Sequence, residues 1–446
     1  MVSDILLSEY GAASTPPSPV NRMMAAFADD FRPDVDINLG VGYVNEATIP
    51  RELILEAMQA VVMNPGKYKA ALNYGGPRGS QNLIDAVKRF HIENRIGGLT
   101  RDVLDRQGII IGPNGATSIL EGIAHILKPG IVLTSDPMYY IYCNFLERQE
   151  FEVVAVPEDH DGIRTDLLRE KIGRLGSRKA DIRFLYVVTV NNPTGTILSN
   201  ARRAELVAIV SGLSHDLGRN IPLFLDKAYE DLIHDPAVPP PESALIHDRA
   251  GLVYEIGTLS KILAPALRIG YMIGRDAPFV RAMVQKTSDA GFSAPLVTQE
   301  IAGFMLDHYV REQIDRVNRG YRDKARKIKR QIETQLGSVV SVCGGGSAGF
   351  YFYLTFRDIR TAEASPFFRY LARTTGDPEI DGPEGNKHPR VIYLPGEFCV
   401  HPKGDMVELG RRQLRLSYGY EEAARIAQAI SIMREAADYA RKGGEM

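Results

Sequence analysis

From residue 108 onward, short runs in which nearly every position is apolar alternate with stretches whose apolar residues fall at helical spacing. The runs GIIIG from Gly108, GIVLTSDP from Gly130, FEVVAVPED from Phe151, IRFLYVVTV from Ile182, IPLFLDKAY from Ile221, LVYEIGTLS from Leu252 and LRIGYMIG from Leu267 read as strands. ATSILEGIAHILK, YIYCNFLERQ and the segment from Ala201 read as the helices between them. Strands that are apolar on both faces and alternate with helices predict an α/β fold: a three-layer, mostly parallel sheet covered on both sides.

The period changes near Ala277 to long helices, one of them charge-rich from Asp307 to Leu336. From Ser338 the pattern becomes mixed, with SVVSVCGGGSAGFYFYLTF, VIYLPG, QLRLSYGY and a final helix from Glu421 to Lys442, an α+β arrangement. This predicts a large domain over residues 60–300 and a smaller α+β domain over 301–446. Residues 1–59 supply an N-terminal arm and part of the small domain. The segment Arg373 to Arg390 is rich in glycine, proline and charge and reads as a long surface loop that borders the site entrance. There is no internal repeat.

A chain of 446 residues, 44% hydrophobic and 24% charged, has ordinary globular composition. A net charge of −2 gives no general attraction to nucleic acid or to anionic membranes, and the basic run YRDKARKIKR is interleaved with apolar positions as a solvated helix face would be. Cys143, Cys343 and Cys399 are far apart and odd in number, and none has metal-ligand spacing. No apolar run nears the roughly 20 residues that span a bilayer, and the N-terminus lacks a secretory pattern. The expectation is a cytoplasmic protein without metal, nucleic-acid or membrane partners.

In open parallel sheets ligands bind beyond the carboxyl ends of the strands, so the residues just after each apolar run carry the information. After GIIIG, the turn Pro113-Asn114-Gly115-Ala116-Thr117-Ser118 opens a helix, and free N–H groups at such a start suit a phosphate. Tyr139 and Tyr140 follow the next strand, Asn191-Asn192-Pro193-Thr194-Gly195 another, and Asp226-Lys227-Ala228-Tyr229 a third. TLSKILAPALRIGY delivers Lys261, with Arg268 seven residues on. Singly these are turns and caps. Together they provide a phosphate cradle, a stacking ring, a carboxylate, hydroxyl partners and an amine, the set that pyridoxal 5'-phosphate requires.

With these residues in order, the chain resembles the class I/II aminotransferase family of fold-type I pyridoxal-phosphate enzymes, from INLGVGY near residue 40 to LRLSYGY near 415. The resemblance implies that Lys261 forms the internal aldimine, while Thr258, Ser260 and Arg268 hold the phosphate with Gly115, Ala116 and Thr117. Asp226 would pair with the pyridine nitrogen, and Asn192 and Tyr229 would bond the ring hydroxyl. Tyr139, or Tyr140 at a register one residue on, would stack on the ring. In NYGGPRGSQNLIDAV, Tyr74 would reach the phosphate of a neighbouring subunit, which implies a homodimer. Arg415 in LRLSYG matches the arginine for the substrate α-carboxylate, a bidentate role that lysine fills poorly. VGYVNEATIP lies where family members place substrate contacts, making Gly40, Tyr43 and Asn45 candidate linings with Asn192.

A lysine at such a place avoids the expense of an isolated buried charge when its nitrogen is held as an imine, and once released it serves as a base for the α-proton. Lys227 stands where the family has acidic or small residues, and His401 reads as a surface histidine. AGFYFYLTF and YLPGEFCV most resemble the branch containing 2-aminoadipate and aromatic aminotransferases. No second cation is assignable to a side-chain carboxylate.

The implied activity is transamination between an amino acid and a 2-oxo acid. The alternative on the same site is γ-elimination or replacement on a substrate such as S-adenosylmethionine, or carbon–carbon bond formation in natural-product biosynthesis. A third reading, the effector-binding part of a transcription regulator, requires a DNA-binding domain. The roughly 35 residues before INLGVGY are few for one and carry no basic stripe.

Overall fold

The computed structural model describes residues 5–68 and 71–443, so the first four residues of the expected arm lie outside the described residues. The arm begins with helices Glu9–Ser14 and Pro19–Ala28, each started by a serine whose hydroxyl accepts a backbone N–H of the first turn. β1 (Ile37–Asn38) follows.

The large sheet contains β2 (Gly108–Ile111), β3 (Ile131–Asp136), β4 (Glu152–Asp159), β5 (Gly162–Ile163), β6 (Ile182–Val188), β7 (Leu223–Asp226), β8 (Val253–Thr258) and β9 (Gly270–Gly274). Their order is β2-β9-β8-β7-β6-β3-β4-β5. β8, β7, β6, β3 and β4 run parallel, β9 is antiparallel to both its neighbours, and β5 is an antiparallel edge. The continuous apolar character of these runs has a direct cause. Successive side chains point to opposite faces, so Ile110, Val132, Phe184, Tyr186 and Phe224 join one core while Ile109, Ile111, Leu133, Leu185 and Leu223 join the other. Helices Gly115–Ile126, Tyr140–Arg148 and Pro278–Gly291 cover the first face. Helices Gln81–Glu93, Asn200–Leu217 and Leu296–His308 contribute to the second.

The C-terminal part forms a second sheet from β10 (Val340–Gly345), β11 (Tyr351–Phe356), β13 (Leu394–Pro395) and β14 (Gln413–Ser417), in the order β10-β11-β14-β13 and antiparallel throughout. Helix Val310–Gln331 continues through a wider turn at Ile332–Leu336, and Ala423–Lys442 closes the chain. Between β11 and β13, β12 (Val391–Ile392) pairs in parallel with β1, which joins the start of the chain to its end.

That junction is fixed by charge. Asp36 is fully buried, with Arg390 Nη2 2.8 Å from Oδ2 and Arg32 Nη2 2.8 Å from Oδ1. Both guanidinium groups outweigh burial and hold the Asp36 carboxyl well below the usual range. The segment 373–390, read as a surface loop, therefore ends on a buried anchor. Within it Pro378–Asp381 forms a helical turn, and the Asp381 carboxylate accepts from the N–H groups of Thr375 and Gly376. His401, read as a surface residue, is buried with Nε2 3.2 Å from Glu147.

No helix among the described residues is long and apolar enough to cross a membrane.

Candidate active site

Because β3, β6, β7 and β8 are parallel, their carboxyl ends lie along one edge, and the residues that follow them surround one cleft. It is lined by Ala116, Thr117, Tyr139, Asn192, Asp226, Tyr229, Thr258, Ser260, Lys261 and Arg268, among others. Ten residues assigned from the sequence are thus brought together from five separate stretches of chain.

The small-residue turn after β2 is shaped by two glycines. Gly115 has φ +70°, and a Cβ there would come within 3.1 Å of the Arg268 guanidinium. A Cβ on Gly270 would lie 2.1 Å from the Ala116 nitrogen, so β9 approaches the helix start only because the side chain is missing. Arg268 donates from Nε to Asn114 Oδ1 at 2.8 Å and from Nη2 to the Asn114 carbonyl at 3.0 Å. The Thr258 hydroxyl donates to the Ile269 carbonyl at 2.6 Å and lies 2.9 Å from the Ser260 hydroxyl. Hydroxyls, a guanidinium and a helix start converge at this end of the cleft.

Asp226 is a buried carboxylate with no cation in hydrogen-bond contact among the described residues. Tyr186 donates to Oδ2 at 2.8 Å, and the Ala228 N–H to Oδ1 at 3.0 Å. Burial raises its pKa, against those two donors and the field of Lys261. Lys261 Nζ lies 3.2 Å from the Gly42 carbonyl. Its pKa is lowered to about 8, by burial first and then by Arg415 and Arg268.

Arg415, on β14, is buried at the small-sheet side of the site. Nη1 donates to Asn192 Oδ1 at 2.8 Å and Nη2 to the Gly40 carbonyl at 2.5 Å, while its guanidinium carbon stands 4.4 Å from the Tyr351 ring centroid. Its Nε is buried without a partner among the described residues. Tyr139, rather than Tyr140, lines the cleft; Tyr140 is buried in the first turn of the following helix.

The expected substrate-side linings Tyr43 and Asn45 are placed elsewhere. Tyr43 is 63% exposed and meets Tyr420 edge to face, outside the cleft lining, and Asn45 caps a short helical turn instead. Tyr74 is 78% exposed and packs beside Phe292, away from this chain's cleft. None of residues 373–390 lines the cleft. Sequence reasoning missed Tyr186, Tyr351 and Gly42. Tyr186 is the one hydroxyl inside IRFLYVV, a signal that was present, whereas Tyr351 shares FYFYLTF with Tyr353 and Thr355 and does not stand out.

Lys227 acquires a physical account. It is buried, with Nζ 3.0 Å from Glu230 and 2.9 Å from Glu255. Glu230 is also paired at 2.7 Å with the fully buried Arg203, and Glu255 accepts from the Ser243 hydroxyl and the Ala244 N–H. Two positive and two negative groups thus fix the turn that carries Asp226 and Tyr229. Burial opposes the charge on Lys227, but Glu230 and Glu255 outweigh it and raise its pKa.

The doubly covered sheet, the lysine and the buried carboxylate define a pyridoxal-phosphate enzyme of fold type I. The family model for aminotransferases of class I and II matches residues 35–376, and the chain belongs to that family. Over 288 residues it is 28% identical to aromatic-amino-acid aminotransferase 1 of Thermococcus litoralis, covering 63% of this chain and 65% of that one. It is also 24% identical over 413 residues to an uncharacterised HTH-type transcriptional regulator, YisV, of Bacillus subtilis, covering 90% of this chain and 73% of that protein. In fold it is similar to the crystal structure of a multiple substrate aminotransferase from Thermococcus profundus, with a TM-score of 0.82, 22% identity and 98% of each chain covered. The protein is a pyridoxal-phosphate-dependent aminotransferase that moves an amino group between an amino acid and a 2-oxo acid.

Replacing Lys227 with methionine leaves Glu230 and Glu255 without their shared cation. The unfolding free energy in a urea titration is expected to fall by about 3–5 kcal/mol, the usual loss when one partner of a buried pair is removed. A change within about 0.5 kcal/mol, typical of a surface substitution, would show the network to be unimportant.

Proposed function

We propose that Lys261 is the residue that carries the cofactor and moves the substrate's α-proton, and that Arg415 binds the substrate's α-carboxylate. The observation that carries this reading is the convergence of Lys261, Asp226 and the Arg268 end on one cleft, with Arg415 at its border.

The residues fit pyridoxal phosphate at four points. The hydroxyls of Thr258 and Ser260, Arg268, and the helix start at Gly115, Ala116 and Thr117 suit a phosphate dianion. Asp226, buried and without a cation in contact, suits a protonated ring nitrogen. Tyr139 offers a ring face, and Asn192 and Tyr229 offer donors to the ring hydroxyl. When bound, the cofactor supplies an electron-withdrawing ring that stabilises the negative charge left as the α-proton departs.

The chain's own groups then have defined tasks. The guanidinium of Arg415 orients the amino acid through its carboxylate, and the Asn192 amide and the Gly40 carbonyl fix that guanidinium in turn. A lysine with its pKa near 8 keeps part of its population neutral at physiological pH, as both a nucleophile and a proton acceptor must be. Lys261 can therefore take the proton from the α-carbon of the bound amino acid and return one during the reverse half-reaction. The Tyr186 and Ala228 donors fix the two oxygens of Asp226, the carboxylate that would hold the proton of the ring nitrogen.

We assign the large domain to residues 60–300 and the small one to 301–446 with part of 1–59, on the ground that β1 pairs with β12 while the large sheet spans 108–274. A homodimer is supported by Leu55, Met58 and Val62, exposed along one stripe of helix Arg51–Val62, and by exposed Met63, Leu72 and Tyr74. In it Tyr74 would reach the phosphate of the partner subunit. Three free cysteines, two of them buried, suit the reducing cytoplasm. The substrate branch, 2-aminoadipate or aromatic amino acids, rests on likeness to relatives such as the Thermococcus litoralis enzyme.

Single-turnover spectra test the residue roles. Lys261→Ala is expected to abolish the lysine-linked visible absorbance and the release of 2-oxo acid. Arg415→Ala should raise the amino-acid concentration needed for half-conversion by about tenfold or more while cofactor binding persists. Unchanged half-conversion in Arg415→Ala would remove it from the substrate site. For the shared site, Lys261→Ala and Tyr74→Ala dimers are each expected to be impaired, and mixing their subunits should restore activity. A mixture no more active than its components would contradict a Tyr74 contribution across the dimer.

A further inference from the structure

Tyr351 lies at the meeting point of three groups to which the reaction is assigned. It is 1% exposed, at the start of β11 between Phe350 and Phe352. Its hydroxyl is 2.8 Å from the Tyr229 hydroxyl. Its ring lies against the Arg415 guanidinium, with the guanidinium carbon 4.4 Å from the centroid. On another side the hydroxyl faces Gly42, where a Cβ would come within 2.6 Å of it, and the Gly42 carbonyl accepts from Lys261. A buried hydroxyl is unfavourable unless it is bonded, and Tyr229 is the hydrogen-bond partner this one has among the described residues.

We propose that Tyr351 is a positioning residue with two separable parts: its ring seats Arg415 for the substrate carboxylate, and its hydroxyl donates to Tyr229. The second part rests on the reading that Tyr229 donates to the ring hydroxyl of the cofactor. Tyr229 has one proton. When that proton is directed to the cofactor, the Tyr229 oxygen is free to accept, and Tyr351 is placed to donate to it. Donors in series polarise one another, so the outer hydroxyl strengthens the inner bond. A hydrogen bond to the ring oxygen favours the form with more negative charge there, the form that has lost its proton. The Tyr351 hydroxyl therefore lowers the pH at which the lysine-bound cofactor deprotonates, and removing it raises that pH.

The test is a spectrophotometric pH titration of the holoenzyme, beside amino-acid half-saturation, for Tyr351→Phe, Tyr351→Leu and Tyr229→Phe. Tyr351→Phe keeps the ring and is expected to raise the titration midpoint by about half a pH unit, the size of one neutral hydrogen bond, with half-saturation changed by less than about twofold. Tyr351→Leu should raise both the midpoint and, by about fivefold or more, the half-saturating concentration, because Arg415 also loses its aromatic seat. Tyr229→Phe should raise the midpoint by more than Tyr351→Phe. An unmoved midpoint in Tyr351→Phe, with a raised one in Tyr229→Phe, overturns the proposal and leaves the reading of Tyr229 standing. An unmoved midpoint in Tyr229→Phe overturns that reading, and the relay with it.

Discussion

A carboxylate and an amine share one low-dielectric cleft at the edge of the large sheet, and the surrounding structure keeps both in use without letting them collapse together. Burial raises the pKa of Asp226 and lowers that of Lys261, so each is pushed toward its neutral form. Two donors counter that tendency for Asp226 by fixing its oxygens. For Lys261 the nearby cations Arg415 and Arg268 reinforce it, as the proposed role of a neutral amine requires. The parallel sheet makes this possible because it delivers residues from separate strands to a single edge while both its faces are filled by core side chains.

The next layer of support is electrostatic on one side and aromatic on the other. Beneath Asp226 and Tyr229, Lys227 and Arg203 balance Glu230 and Glu255, all four side chains being buried. Such a network is weak evidence for stability as a whole, since well-packed apolar groups often do as well. Its effect is geometric: it fixes the turn that carries two site residues. On the other side, Tyr229, Tyr351 and Phe350 meet edge to face, and the guanidinium of Arg415 lies against the Tyr351 ring. The small sheet thereby takes part in the site rather than merely covering it, and the Asp36–Arg390 pair holds both ends of the chain beside it.

Much of this was legible in the sequence, for reasons that can be stated residue by residue. Strands such as IVLTSD and VYEIGT are buried on both faces, so they appear as continuous apolar runs, and the polar residues after them stand out. Asp226 and Lys261 were found in that way. The side-chain roles around them were harder to see wherever the partner lies far away in sequence. Lys227 is explained by Glu255 and Arg203, His401 by Glu147, and the anchored end of the 373–390 segment by Asp36, none of which a local pattern indicates. Tyr43 shows the opposite error: its neighbours Gly40 and Gly42 face the site through their carbonyls, while its own side chain turns outward to Tyr420. Tyr351 was hidden among similar aromatic residues, and only its contacts separate it from them.

The most direct test of this account is to reduce the protein with borohydride in the presence of pyridoxal 5'-phosphate and to locate the modified residue by peptide mass spectrometry. Covalent cofactor on Lys261, lost when a competing phosphate-bearing ligand is present, is the result the cleft geometry predicts. Modification concentrated on another lysine, or none at all under conditions where the protein is folded, would contradict it.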